Sequence, residues 1–254
     1  MGVLAEILAH KRRELATLGR PPEHGLEPRP VALGRGAGEP LRLIAEIKRR
    51  SPSAGPLSTA LSVAERARAY ERAGASVISV LTDSRFFDGA FEHLAEARRA
   101  TALPVLCKEF VLDEVQLDWA RAHGADAVLL IVRCLEGARL ASLVAAAGER
   151  GLTPLVEVAT EDEALRALDA GAKLVGVNAR DLDSLAMDLA RAERVLGSLP
   201  SGVTRVHLSG VASADDVKRL AARAVDAALI GEALMRLDDP EAALRLFRQS
   251  AGPG

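Results

Sequence analysis

From residue 41 onward, short apolar runs alternate with segments whose apolar residues recur every three to four positions. The runs are LRLIAEIK (41–48), VISVLT (77–82), PVLCKE (104–109) and AVLLIV (127–132). Four more follow: PLVEV (154–158), LVGVNA (174–179), RVHLS (205–209) and AALIGE (227–232). Their length and their valine, isoleucine and leucine content predict eight buried strands. The segments between them predict helices, because their apolar positions fall on one face and cap residues bracket them. Asp113, Thr160 (with Glu163 three residues on) and Ser213 (with Asp216) stand at predicted helix starts, Gly74 and Gly124 at predicted stops. Eight strand–helix units in succession predict an α/β fold, a closed (β/α)8 TIM barrel rather than an open doubly wound sheet. Residues 1–40 read as an amphipathic helix over about 3–18 and a Pro/Gly-rich connector. They form an N-terminal helical extension to a barrel spanning 41–254, so residues 1–254 are expected to make one domain.

Composition narrows the function classes. The chain of 254 residues is 49% hydrophobic and 27% charged with a formal net charge of −2. That is ample core material and no strong field, which argues against nucleic acid as a partner. No run approaches the roughly 18 consecutive apolar residues of a membrane span, so no membrane partner is expected. Charges interrupt the first fifteen residues, unlike a signal peptide, and Cys107 and Cys134 are too few for a disulfide framework. A cytoplasmic location is therefore expected. Of 33 basic residues only Lys11, Lys48, Lys108, Lys173 and Lys218 are lysine. A lysine kept against such a bias raises the question of why arginine would not serve.

Active sites of α/β barrels lie at the C-terminal strand ends. Glu46 and Lys48 share a face at the end of strand one, and Asn178 and Arg180 at the end of strand six. Strand three ends in Lys108 and Glu109, and strand five carries Glu157 between valines. Any one of these alone reads as a strand-end surface charge. Glu46, Lys48, Lys108 and Glu157 around one mouth read as an acid–base set whose pKa values low-dielectric walls move toward working pH. Lysine suits proton transfer because an ammonium can lose its proton and a guanidinium cannot. Strands seven and eight run into Ser209-Gly210 and Gly231-Glu232, turns that fit a phosphate cradle as well as ordinary loop chemistry. The long loop after strand one, RRSPSAGPLS, offers Arg49 and Ser51 to an anion. His207 shares parity with Ser209 and is expected inside the barrel as a packed core histidine. The other histidines (His10, His24, His93, His123) are scattered, so no metal site is expected. No GxGxxG or GxxxxGK(S/T) motif follows a strand, which lowers nucleotide-binding alternatives.

These motifs, in this order, resemble the indole-3-glycerol-phosphate synthase family. The matching segments are IAEIKRRSPS (44–53), LTDSRFFDGAF (81–91), PVLCKEF (104–110), LVEV (155–158), GVNARDL (176–182), LSG (208–210) and IGEALM (230–235). The resemblance implies a cofactor-free carboxy-lyase of tryptophan biosynthesis. Its substrate would be 1-(o-carboxyphenylamino)-1-deoxyribulose 5-phosphate, closed to the indole with loss of CO2 and water. It implies Lys108 as general acid, Glu157 opposite the developing iminium charge or acting as a base, and Glu46 with Lys48 in the dehydration. Asn178 would orient carboxylates and hold a sugar hydroxyl. Arg180 and Ser51 would serve substrate anions, and Ser209, Gly210, Gly231 and Glu232 the phosphate. Leu81, Phe87, Phe110 and Leu129 are candidates for an apolar wall around the aromatic ring, with core packing the alternative reading. A monomer is expected, with a homodimer as the alternative. One departure stands out: Leu208 occupies the place of the family's usual glutamate. Other phosphate-binding barrels, phosphoribosylanthranilate isomerase and the tryptophan synthase α subunit among them, do not require the EIKRxSPS and CKEF pair. A non-catalytic barrel would let the four ionisable residues erode.

Overall fold

A computed structural model of the chain describes residues 2–23 and 26–252, so His24 lies outside the described residues. Eight strands form the barrel: β1 (Arg42–Ile47), β2 (Val77–Leu81), β3 (Val105–Lys108), β4 (Ala127–Ile131), β5 (Thr153–Val158), β6 (Leu174–Asn178), β7 (Thr204–Leu208) and β8 (Ala227–Ile230). Each pairs in parallel with its sequence neighbours, and β8 returns to β1, so the sheet closes. The expected strands hold to within two residues at either end. The largest differences are at chemically interesting positions, because Lys48, Glu109, Ser209, Gly231 and Glu232 lie just beyond the ladder rather than in it. The long loop after β1 carries a two-residue antiparallel ribbon in which Ser51 faces Gly55. Gly55 turns it with φ +69°, a conformation natural to glycine.

The helices are α1 (Val3–Leu15), α2 (Val63–Arg72), α3 (Ser84–Phe87), α4 (Phe91–Ala100), α5 (Glu114–Ala122), α6 (Arg139–Glu149), α7 (Glu161–Asp169), α8 (Leu189–Ser198), α9 (Ala214–Ala221), α10 (Glu232–Met235) and α11 (Glu241–Ser250). Asp113 and Ser213 cap α5 and α9 in complete capping boxes, with Gln116 and Asp216 returning the bond. At α7 the box is half made. Thr160 accepts from the Glu163 N–H, but the Glu163 carboxylate turns to the Ala159 N–H and to Arg133 instead. Ser62 and Glu65 form a further box on α2 that shows the same spacing in the sequence.

Barrel strands bury alternate residues inward and outward, and the inner positions interdigitate. Gly176 on β6 leaves the gap that Leu155 and Leu208 fill; a Cβ there would meet both side chains. The N-terminal extension touches both ends of the barrel. α1 lies at the mouth, where the strands end. Its connector then descends past α5, with Trp119 Nε1 donating to Gly19 O (3.0 Å), and crosses the opposite end. There the buried Asp126 carboxylate accepts the N–H of Arg29 and of Val105, while Asp226 accepts those of Arg35 and Arg205. Leu33 is packed between these anchors in the core. Among the described residues, no helix is long and apolar enough to cross a membrane.

Candidate active site at the mouth of the barrel

A cavity of about 650 Å³ opens at the C-terminal ends of the strands. Glu46, Lys48, Lys108, Asn178 and Arg180 line it, with Ser51, Ser209, Gly210, Gly231 and Glu232, and with Leu81, Phe87 and Phe110. Strand parity brings the charged residues together: Glu46 is in register with Ser79, and Lys108 with Leu81, all facing inward.

Glu46 is the hub. Its carboxylate is 3% exposed and bridges two ammonium groups, Lys48 Nζ at 2.8 Å from Oε1 and Lys108 Nζ at 3.6 Å from Oε2. Burial alone would raise its pKa, but Lys48 and Lys108 outweigh burial and hold it below the ordinary value. Lys108 runs the other way from the sequence expectation. Burial pulls its pKa down, yet the charges of Glu46 and Glu157 win and push it up, away from neutrality. It is thus kept as an ammonium, a proton donor rather than a resting base. Glu157 sits beneath the cavity wall, buried, with Oε1 accepting from Asn178 Nδ2 at 2.8 Å and Oε2 without a partner among the described residues. Asn178 Oδ1 accepts the Arg180 N–H (2.9 Å), so one amide aligns a carboxylate and a backbone turn.

Gly231 makes the Glu46 arrangement possible. A Cβ on Gly231 would overlap the Glu46 carboxylate and approach Lys48 Nζ to 3.2 Å. Across the mouth, Ser209 and Gly210 both take left-handed backbone conformations, φ +67° and +84°. At Gly210 the positive φ favours glycine, and a Cβ there would press on the tip of the Met187 side chain. The Glu232 carboxylate is drawn to Arg236 (2.6 Å) and toward Arg180 (3.9 Å).

Besides Glu157, which is buried behind the wall and does not line the cavity, three expected residues lie elsewhere. Arg49 follows the inward Lys48 and so points out, pairing with Asp88 at 3.2 Å beside His93 rather than lining the cavity. Leu129 packs in the core one layer too deep: Ile131 is level with Glu157, whereas Leu129 pairs with Leu155. His207 faces outward, because the cavity-lining Leu208 takes the inward position. It is buried between barrel and helices near Glu193, Asp216 and Arg219, with its pKa lowered by burial. Ser209 still reaches the cavity, since the left-handed turn after β7 ends the alternation.

Sequence reasoning missed part of the wall. Val3, Leu4 and Ile7 of α1 roof the cavity, and Leu208, Leu229 and Phe247 complete its apolar side. The apolar face of α1 is legible in the sequence, but not the surface it covers. Among the described residues, no group of three or more His, Cys, Asp or Glu is placed to hold a metal ion.

Comparison with known proteins adds independent findings. A family model described as indole-3-glycerol phosphate synthase matches residues 29–247. An indole-3-glycerol phosphate synthase of Mycobacterium avium is 48% identical over 218 residues, 85% of this chain and 80% of the relative. A second, from Micrococcus luteus, is 44% identical over 264 aligned positions, 99% and 98% of the two chains. Among solved structures, a 3-hexulose-6-phosphate synthase superposes with a TM-score of 0.66 at 20% identity, covering 83% of this chain and 99% of that one. A thiamine phosphate pyrophosphorylase from Pyrococcus furiosus gives 0.63 at 20% identity, over 83% and 95%. At that identity these two bear on the fold alone.

Proposed function

The chain belongs to the indole-3-glycerol phosphate synthase family, and from that premise we propose how its cavity divides the work of the family's reaction. The enzyme is a decarboxylating lyase of tryptophan biosynthesis that acts on a small phosphorylated substrate, 1-(o-carboxyphenylamino)-1-deoxyribulose 5-phosphate. The observation that carries the assignment of roles is the Glu46 carboxylate bridging Lys48 and Lys108 on the cavity floor.

Ring closure needs a proton on the sugar carbonyl oxygen as the ring carbon bearing the carboxylate attacks. Lys108 supplies it, because its paired ammonium is protonated and faces the cavity. The intermediate carries an iminium charge, which the buried Glu157 carboxylate opposes. Loss of CO2 returns the electron pair to the ring. Dehydration then removes the new hydroxyl as water and a proton from the neighbouring carbon; Lys48 and Glu46 are the paired donor and acceptor for it. Asn178 holds Glu157 in orientation and offers its remaining capacity to a sugar hydroxyl. The turns at Ser209-Gly210 and Gly231-Glu232 present backbone N–H groups to the phosphate, with Glu232 kept aside by Arg236. Arg180 and Ser51 flank the anionic ends, and Leu81, Phe87 and Phe110 enclose the aromatic ring. Leu208 leaves Glu46 and Glu157 as the two carboxylates of the set. The reading extends to a cytoplasmic monomer of one domain. Supporting it are two buried free thiols and an extension bonded to both ends of the barrel.

Purified protein incubated with the anilino-deoxyribulose phosphate should develop the fluorescence of the indole product. A folded protein that forms none would overturn the assignment. Lys108→Ala should nearly abolish turnover while the far-UV dichroism stays unchanged, and wild-type turnover would remove Lys108 as the acid.

A further inference from the structure

Lys11 is a lysine in an arginine-rich chain, and the chemistry above does not use it. It lies on α1, outside the cavity wall, with a side chain only 1% exposed. Its Nζ is 2.8 Å from Glu14 Oε2, 2.9 Å from Glu109 Oε1 and 3.0 Å from Asp83 Oδ2. Asp83 and Glu109 are themselves buried, so Lys11 is the cation that compensates both. Burial alone would lower the Lys11 pKa, but Glu109, Asp83 and Glu14 reverse that and raise it.

Both carboxylates are tied to chain segments that build the cavity. Glu109 stands between Lys108 and Phe110, two wall residues, and also accepts from the Phe110 N–H and the Thr82 hydroxyl (both 2.8 Å). Asp83 caps α3 through the Phe86 N–H (2.8 Å), which sets the position of Phe87 on the wall. On α1 itself, Ile7 is one helical turn before Lys11 and reaches the same cavity. One ammonium therefore joins the roof helix, the end of β3 with its acid, and the turn after β2.

We propose that Lys11 is a positioning residue for the reaction described above. It acts through Glu109 and Asp83 to hold Lys108, Phe87, Phe110 and the apolar face of α1 around one substrate pose. The inference rests on the assignment of that reaction to this cavity. It also answers why lysine is kept here. Three carboxylate oxygens surround a compact ammonium with three donors, and a planar guanidinium cannot meet them without moving a strand end.

The test compares the full chain with Lys11→Arg, which keeps the buried charge, and with Lys11→Met/Asp83→Asn/Glu109→Gln, which removes the cation together with both buried carboxylates. In each variant kcat should fall about tenfold or more, the scale of loss that misplacing a reacting group by a fraction of an ångström brings. KM should rise far less, and circular dichroism should match the parent. Arginine should fail to rescue, because geometry rather than charge is at stake. Parental kcat per folded molecule in either variant, whatever the change in melting temperature, would mean a purely structural ion pair and overturn the proposal. A parent chain inert toward the substrate would overturn the reaction assignment, and this inference with it. An active parent with an equally active Lys11→Arg would remove this inference alone.

Discussion

Gly231 sits where β8 gives way to α10, with φ −114° and ψ −77°, a region open to alanine as well as glycine. Substitution there therefore tests space rather than backbone strain. Gly231→Ala keeps the N–H that we propose holds the phosphate but places a methyl group where the Glu46 carboxylate lies. The expected outcome is a kcat lowered about 100-fold, the usual consequence of displacing a reacting group by about 1 Å, with KM little changed. Parental kcat would show that the carboxylate relocates freely. Residue identities of this kind were partly legible in the sequence. Glu46, Lys48, Lys108, Asn178 and Arg180 follow from strand parity, since alternation at a strand end is a local property. Parity failed at His207, where the true inward residue is its neighbour Leu208. It failed because Ser209, used as the reference, had already left the strand for a left-handed turn.

Between residues and the whole barrel, the elements carry their own start signals. Ser213 and Asp216 close a reciprocal box at α9, with Ser213 Oγ accepting from the Asp216 N–H (3.2 Å) and the Asp216 carboxylate accepting in return (2.9 Å). Ser213→Ala should lower the unfolding free energy by about 1 kcal/mol, read from the midpoint of urea denaturation, because the Asp216 N–H at the helix start loses its side-chain partner. An unchanged midpoint would mean that the Asp216 contacts alone hold the helix start. The sequence spacing that reveals this box also marks Thr160 and Glu163, where only half of it forms. There Arg133 competes for the Glu163 carboxylate from 3.1 Å, and that competitor arrives from another βα unit. Local patterns announce a cap, and distant partners decide whether it closes.

At the scale of the molecule, buried groups make stability depend on pH in a definite direction. Lys11 and Lys108 have folded pKa values above the ordinary 10.5, so their contribution is complete below that value and is lost as pH rises through the folded one. Burial also raises the Cys107 thiol, the Cys134 thiol (to about 12) and the Tyr70 hydroxyl, and these act in the same direction from their ordinary values of 9.0 and 10.0. The melting temperature should accordingly decline from about pH 9 upward. In acid, Glu46 loses its contribution as pH falls below the ordinary 4.5 and through its lowered folded value. Glu109 opposes it there, since burial raises its pKa and favours the protonated form in the folded chain. Differential scanning calorimetry across pH 7–11 checks the alkaline limb. A flat melting temperature over that range would contradict the raised values.

By itself the amino-acid sequence determined the eight βα units, the closed barrel, and the ionisable residues at the strand ends. Those features follow from periodicity and parity, which act over a few residues. Only the tertiary structure decided that α1 roofs the cavity, that Lys11 joins it to Asp83 and Glu109, and that Glu46 bridges two lysines. It alone decided, too, that Lys108 is held protonated instead of being drawn toward neutrality. These outcomes depend on which charges meet in a low-dielectric interior. Residues 72 and 98 positions apart in the chain, such as Lys11 with Asp83 and Glu109, become neighbours only when the barrel closes.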